Sequence, residues 1–342
     1  MKKKISIIGV GSWGTALAVV LGKKGHDVAV WDIDAELLAR INENRENKRY
    51  LPGILLGDSI RVVSDISDLV YAADMVVFAV PAQHFRTAAQ TVSLHIKSDI
   101  PIVNVAKGIE QKTLKTISQI SSEILSGNPF AVLSGPSHAE EVGQGMPSTL
   151  VAAAEDLALA EYVQDVFMTS RFRVYTNTDV LGVELGGALK NVIALGAGIS
   201  DGLGFGDNAK AAMMTRGMVE IARLGEKMGG KRETFFGLSG IGDLIVTCTS
   251  EHSRNRRCGI MIGQGAKPEE AAAKVGMVVE GIHTAAAACD LAQRVQAEMP
   301  ITEQVYRIIK GGVNAEEAVT ALMERQKRHE TESLLYGAPL SI

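Results

Sequence analysis

The chain has 342 residues, 46% apolar and 22% charged, a composition that excludes extended disorder and a length that suits two domains, since one core stops growing at roughly 250–300 residues. Its 35 lysines and arginines against 39 aspartates and glutamates leave a net charge of -4, which excludes a general attraction to nucleic acid or an anionic membrane, so any anion site must be local. The three cysteines, Cys248, Cys258 and Cys289, form no CxxC pair and no even disulfide set, as expected for a reducing, cytoplasmic setting.

Lys2, Lys3 and Lys4 precede an uncharged, largely apolar stretch, 5–22, and Ala16-Leu17-Ala18 imitates a cleavage site. Gly9, Gly11 and Gly14 interrupt that stretch and a second strand pattern follows it, so it is expected to fold as strand and helix rather than leader or anchor. Apolar runs at 4–10, 27–31, 75–79, 102–106, 131–134 and 149–151 predict strands, and 15–24, 35–44, 82–94 and 114–125 predict the helices between them. Breakers at 79–81 and 134–137 interrupt the series. Strands alternating with helices predict a parallel, doubly wound (Rossmann-type) α/β domain over 1–178. After about Asn177 no further convincing strand follows, and helical patterns cover 181–199, 209–228, 269–275, 284–294, 302–310 and 315–325. An all-α domain, substrate-binding and catalytic, is expected over 179–342.

Gly9-Val10-Gly11-Ser12-Trp13-Gly14 matches the dinucleotide fingerprint. The match gains weight from its place between a strand and a helix. Gly9 would make the tight turn, Gly11 would admit the pyrophosphate, and Gly14 would let helix and strand pack closely. Trp13 either covers the sheet end or contacts the cofactor. Asp32 ends the second strand 18 residues after Gly14, where a carboxylate bonds the adenosine ribose and repels a 2′-phosphate. Either Asp32 or Asp34 could instead cap the following helix. NAD is expected as cofactor, with NADP possible but disfavoured by the two carboxylates.

Three cationic sites stand among small or apolar neighbours. Lys107 follows a strand and precedes Gly108, at the sheet edge where ligands bind; a solvated lysine would read the same way. Lys190 lies in an apolar helix with Gly186, Gly187, Ala194 and Ala197 on its stripe. A cramped, buried ammonium needs a partner, and burial brings its pKa toward the range useful for acid–base work. Glu184 could pair with it structurally, but the adjacent Asn191 favours chemistry. Ser253-Arg254-Asn255 lies in the polar run 247–257, with Arg256 and Arg257 adding positive potential. This run suits bidentate phosphate recognition or else is a solvated basic loop. Asp243 sits on the glycine turn 240–243, where it could orient Lys190, bind a substrate hydroxyl or cap a helix. His138, Glu140 and Glu141 lack corroborated metal-ligand spacing, so no metal is expected. His84, His252 and His283 are scattered along the chain.

The segments GVGSWGTALA, VPAQ, AKGIE, LSGPSHAEEV, RFRVYTN, GVELGGALKNVIALGAGISDGLGFGDNAKAA, GLSGIGDLIVTC, HSRNRR and GMVVEG resemble the bacterial NAD(P)-dependent glycerol-3-phosphate dehydrogenase family. The resemblance implies reduction of dihydroxyacetone phosphate to sn-glycerol 3-phosphate, in the supply of glycerophospholipids. It implies Lys190 as proton donor and acceptor beside Lys107 and Asp243, with Asn191 and Thr247 in support. It places Ser12, Trp13, Ala139, Val278 and Glu280 near the cofactor. It gives Lys107, Gly135, Ser137, Asp243, Ser253, Arg254 and Asn255 to the substrate, with Arg254 between substrate and cofactor. A homodimer is a family-level expectation. In one departure, Asp32-Ile33-Asp34 follows Trp31 where many NADPH-favouring members carry His-Arg. A β-hydroxyacid or 6-phosphogluconate type of dehydrogenase would share the nucleotide fold and the helix-borne lysine. A nucleotide-sensing protein with a dead site would have lost Lys190 or Asp243.

Overall fold

Strands buried on both faces read as nearly unbroken apolar runs, and the central ones here do: β1 (Lys4–Ile8) and β4 (Met75–Phe78) leave only Lys4 exposed. The computed structural model describes residues 1–327 and 330. With β2 (Asp27–Trp31), β3 (Ile60–Val62), β5 (Ile102–Asn104), β6 (Phe130–Ser134), β7 (Ser148–Ala153) and β8 (Phe172–Asn177) these strands form one eight-stranded sheet, ordered β3-β2-β1-β4-β5-β6-β7-β8. The first six are parallel; β7 runs antiparallel to β6, and β8 is parallel to β7. The order reverses beside β1, which opens a crevice at the carboxyl ends of β1 and β4.

Helices α1 (Ser12–Lys23), α2 (Ala35–Asn44), α3 (Ile66–Tyr71), α4 (Phe85–Ser93), α5 (Ile117–Ile124), α6 (Ala139–Gln144) and α7 (Leu157–Phe167) accompany the sheet. The apolar stretch at 5–22 thus builds β1 and α1, and nearly all of it is buried. From Val180 onward the described residues form helices without strands: α8 (Val180–Gly202), α9 (Asp207–Lys227), α10 (Arg232–Phe235), α11 (Asp243–Thr249), α12 (Arg254–Gly263), α13 (Pro268–Val275), α14 (Glu280–Arg294), α15 (Pro300–Ile309) and α16 (Ala315–Met323). Residues 328–329 and 331–342, included in the expected helical domain, lie outside the described residues.

Helix α8 is apolar all round and long enough to cross a membrane, yet it is buried at the centre of the helical part. Asp179 caps it, accepting from Gly182 N at 2.9 Å, and its other oxygen accepts from Lys231 N at 2.7 Å. Glycines let α12 lie directly on it. A Cβ at Gly198 would stand 2.1 Å from the Arg256 carbonyl oxygen, and one at Gly259 2.1 Å from that of Leu195. This backbone-to-backbone approach carries the start of α12 to the middle of α8, where Lys190 sits.

No helix is predicted across the polar run 247–257, yet it holds the end of α11 and the start of α12. Ser253 caps α12, its hydroxyl accepting from Arg256 N at 3.2 Å. The glycine turn before Asp243 is a π-helical turn, Leu238–Gly242, leading into α11.

Candidate active site

The glycine loop has the physical character its spacing predicts. Gly9 has φ +96°, and a Cβ there would meet the Ala79 carbonyl oxygen at 2.7 Å. A Cβ on Gly14 would stand 2.0 Å from the Gly9 carbonyl oxygen, whereas one on Gly11 would meet nothing within 4 Å. Gly9 and Gly14 therefore close the strand against the helix, and Gly11 leaves an open approach to the amino end of α1. That end has no side-chain cap, because its N-cap residue is Gly11, and the Ser12 hydroxyl donates to the Tyr50 carbonyl at 2.7 Å. Open backbone donors at a helix start, beside a glycine cradle, fit a pyrophosphate.

Asp32 accepts from Val10 N at 2.8 Å and Asp34 N at 3.0 Å, which fixes its carboxylate at the tip of β2 on the cleft wall. Asp34 is the helix cap, accepting from Leu37 N, and it also pairs with Arg49 at 3.1 Å. The two acidic residues thus have different tasks.

The second centre is a buried triad of charges. Asp243 is 1% exposed and receives Lys190 Nζ on one oxygen at 2.5 Å and Lys107 Nζ on the other at 2.7 Å. Lys190 also donates to Thr247 Oγ1 at 2.6 Å, and Lys107 to the Gly135 carbonyl at 2.9 Å. Two ammonium groups on one carboxylate leave a local excess of positive charge for an anion or a developing oxyanion. Burial lowers the Lys190 pKa to about 8, with Asp243 opposing that shift and Lys107 reinforcing it. Glu184, the alternative partner, turns away to accept from Ser118 N and Oγ at 2.8 and 2.5 Å. The small stripe on α8 is used as expected: a Cβ on Gly187 would stand 2.9 Å from Ser134 Oγ and 3.5 Å from the Lys107 side chain.

A polar relay joins this centre to α12 and α14. Asn191 accepts from Asn255 Nδ2 at 2.9 Å, and Asn255 in turn accepts from Gly281 N at 2.9 Å. Glu280 accepts from Ala82 N at 3.1 Å, while its second oxygen is buried without a partner. Arg254 projects from the first turn of α12, its pKa lowered by the surrounding protein and supported by the carboxylates of Glu280 and Glu140.

Most of these residues meet at one cleft of about 1080 Å³. Gly9, Gly11, Ser12, Trp13, Asp32, Lys107, Ser137, Ala139, Lys190, Asn191, Thr247, Ser253, Arg254, Asn255, Val278 and Glu280 line it. Gly14, Gly135 and Asp243 do not. Gly14 is packing, Gly135 offers its carbonyl to Lys107 and Ser137 Oγ, and Asp243 is covered by the two lysines. The histidines, scattered in sequence, are gathered in space: His84, His138, His252 and His283 all line the cleft. Tyr50, Met277 and Arg257 join them; Arg257 belongs to the basic run and Met277 to the GMVVEG segment, whereas no motif in the sequence pointed to Tyr50. Cys248 is buried, which pushes its thiol up to about 12 and leaves it inert. No cluster of metal ligands occurs among the described residues.

The N-terminal pattern of NAD-dependent glycerol-3-phosphate dehydrogenase matches residues 4–160, and its C-terminal pattern matches residues 179–320. The chain is 52% identical over 327 residues to glycerol-3-phosphate dehydrogenase (NAD(P)+) of Clostridium perfringens, covering 96% of this chain and 99% of that one. It is 54% identical to the protein of that name from Moorella thermoacetica, covering 97% and 99%. In three dimensions it is similar to the crystal structure of glycerol-3-phosphate dehydrogenase from Coxiella burnetii, with a TM-score of 0.92, 37% identity, and coverage of 95% and 99%.

Proposed function

The chain belongs to the NAD-dependent glycerol-3-phosphate dehydrogenase family, and from that premise we propose how its residues divide the reduction of dihydroxyacetone phosphate to sn-glycerol 3-phosphate. The enzyme is an NAD(P)-dependent oxidoreductase. When bound, the reduced dinucleotide supplies the hydride to C2 of the substrate. Lys190 gives its proton to the C2 oxygen and recovers one in the reverse direction, because it is buried, bonded and shifted toward neutrality. Lys107, also held by Asp243, stabilises the negative charge that grows on that oxygen. Asp243 touches neither ligand; it sets the position of both ammonium groups. Thr247 and Asn191 hold Lys190 and the start of α12 in register.

Arg254, with Ser253 and Asn255, grips the phosphate, whose binding energy orients the reacting carbon. Ser137 completes the substrate wall. Gly9, Gly11, Ser12, Trp13, Ala139, Val278 and Glu280 bound the dinucleotide, and Asp32 takes the ribose hydroxyls and so favours NAD over NADP. Residues 1–178 carry the dinucleotide-binding fold and 179–342 the helical substrate-binding and catalytic part, with Lys107 and Ser137 reaching the substrate from the first and Val278 and Glu280 the cofactor from the second. A homodimer in the cytoplasm, feeding glycerophospholipid synthesis, completes the reading; the unpaired thiols suit that compartment.

The buried Lys190–Asp243–Lys107 array at the cleft, reached from the glycine loop on one side and Arg254 on the other, carries this assignment. Lys190→Ala tests it: the catalytic rate should fall by about 100-fold or more while the dissociation constant of NADH stays near that of the parent. Activity that survives the change would remove Lys190 as the proton donor.

A further inference from the structure

His138 lies at the N-cap position of α6, yet its side chain makes no capping bond. Its Nε2 is buried and has no partner, although the residue lines the cleft together with Lys107, Ser137 and Lys190. The ring packs against that of His252, centroids 5.8 Å apart at 56°, so its direction is restrained. A buried polar atom left unpaired is costly, and one facing a binding cleft is satisfied when the ligand arrives.

We infer that His138 recognises the C1 hydroxyl of the three-carbon substrate, its Nε2 accepting the hydroxyl proton in a hydrogen bond. The inference rests on the reaction assigned above and adds a residue to it. Burial and the charges of Lys190 and Lys107 keep the imidazole neutral, against Glu140 and the Val246 backbone. A neutral imidazole carries one protonated nitrogen and one lone pair, and the inferred hydrogen bond places the lone pair on Nε2, the nitrogen buried without a partner. An acceptor there needs a donor from the ligand. The phosphate dianion and the ketone oxygen are acceptors only, which leaves the C1 hydroxyl as the substrate's single donor. That hydroxyl is one carbon from the ketone. Its recognition group must therefore stand near Lys190, as His138 does.

Hydroxyacetone phosphate lacks this hydroxyl and keeps the ketone and the phosphate. The parent enzyme should prefer dihydroxyacetone phosphate over it by about 10-fold or more in kcat/KM, the cost of an unpaired buried group. His138→Phe should bring the two substrates to within about threefold, mainly by lowering the value for dihydroxyacetone phosphate. His138→Gln, which can present an acceptor from a similar position, should recover part of the preference, so a fault in folding is separated from a loss of recognition. Equal loss on both substrates would overturn the inference. So would an unchanged ratio accompanied by weaker NADH binding, which would assign Nε2 to the carboxamide of the dinucleotide. A parent enzyme that turned over neither substrate would overturn the reaction assignment itself, whereas normal turnover with an unchanged ratio in His138→Phe would overturn only the role of His138.

Discussion

Asp243 never reaches the cleft, yet both working lysines depend on it. Lys190 was legible in the sequence because a lone charge on a glycine and alanine stripe demands an explanation. Its partner was legible only as one alternative among several, since Asp243 lies 53 residues away and could equally have capped a helix, while Glu184 lay closer on the same helix. His138 was passed over for a similar reason: its value lies in an unpaired nitrogen, which no spacing displays. Burial of Lys190 gives the reaction a pH dependence with a definite sign. Reduction needs the protonated amine, so its catalytic rate should fall as pH rises through about 8. Oxidation needs the neutral amine and should rise over the same interval. Matching pH–rate profiles in the two directions would contradict this. Arg254→Ala should raise KM for dihydroxyacetone phosphate strongly, and an unchanged KM would remove the phosphate role. Asp34 is spent on capping α2 and pairing with Arg49, so coenzyme choice falls to Asp32. Asp32→Ala should narrow the preference for NADH over NADPH, read as the ratio of kcat/KM values. No change in that ratio would place the choice elsewhere.

Helices α8 and α12 show why a polar segment can be as firmly placed as an apolar one. The sequence 254–263 has no broad apolar stripe, so its pattern predicts no helix. What makes it a helix is the Ser253 cap together with Gly259 and Gly263, which lie against the carbonyls of Leu195 and Ile199. Gly259→Ala would place a methyl 2.1 Å from a backbone oxygen, a conflict that no side-chain rotation relieves. It should cost about 1–3 kcal/mol of stability in denaturant titrations, and it should raise KM for the phosphate substrate because Arg254 moves with the helix. An unaltered midpoint and KM would show that the close packing is not needed. Elsewhere, long apolar runs were legible: α2 and β2 fall where the pattern puts them. The missed strands were short or unusual. β3 has three residues, and β8 alternates Phe172 and Val174 inward with Arg173 and Tyr175 outward at the edge of the sheet. Such an edge strand carries half the apolar signal of a central one.

The sheet-bearing and helical parts are joined by buried polar contacts rather than by covalent closeness. Glu184 of α8 accepts from Ser118 of α5, Glu280 of α14 accepts from Ala82 N, and Lys107 after β5 meets Asp243 of α11. Each bond ties a residue of the cofactor side to one of the substrate side, so the cleft is built from both at once. Glu184→Ala would leave the Ser118 donors unpaired and should cost about 1–3 kcal/mol, seen as a lower urea midpoint; an unchanged midpoint would show that this junction is dispensable. A strand-bearing half followed by a helical half was readable from the alternation of patterns. How the two halves close on one another was not, because the joining residues are single polar side chains far apart in sequence. The central claim is that this shared cleft reduces a phosphorylated ketone. Its most direct test follows oxidation of NADH by the purified, folded protein with dihydroxyacetone phosphate and, separately, reduction of NAD with a β-hydroxyacid. The account predicts turnover of dihydroxyacetone phosphate alone; turnover of the hydroxyacid without it would contradict the account.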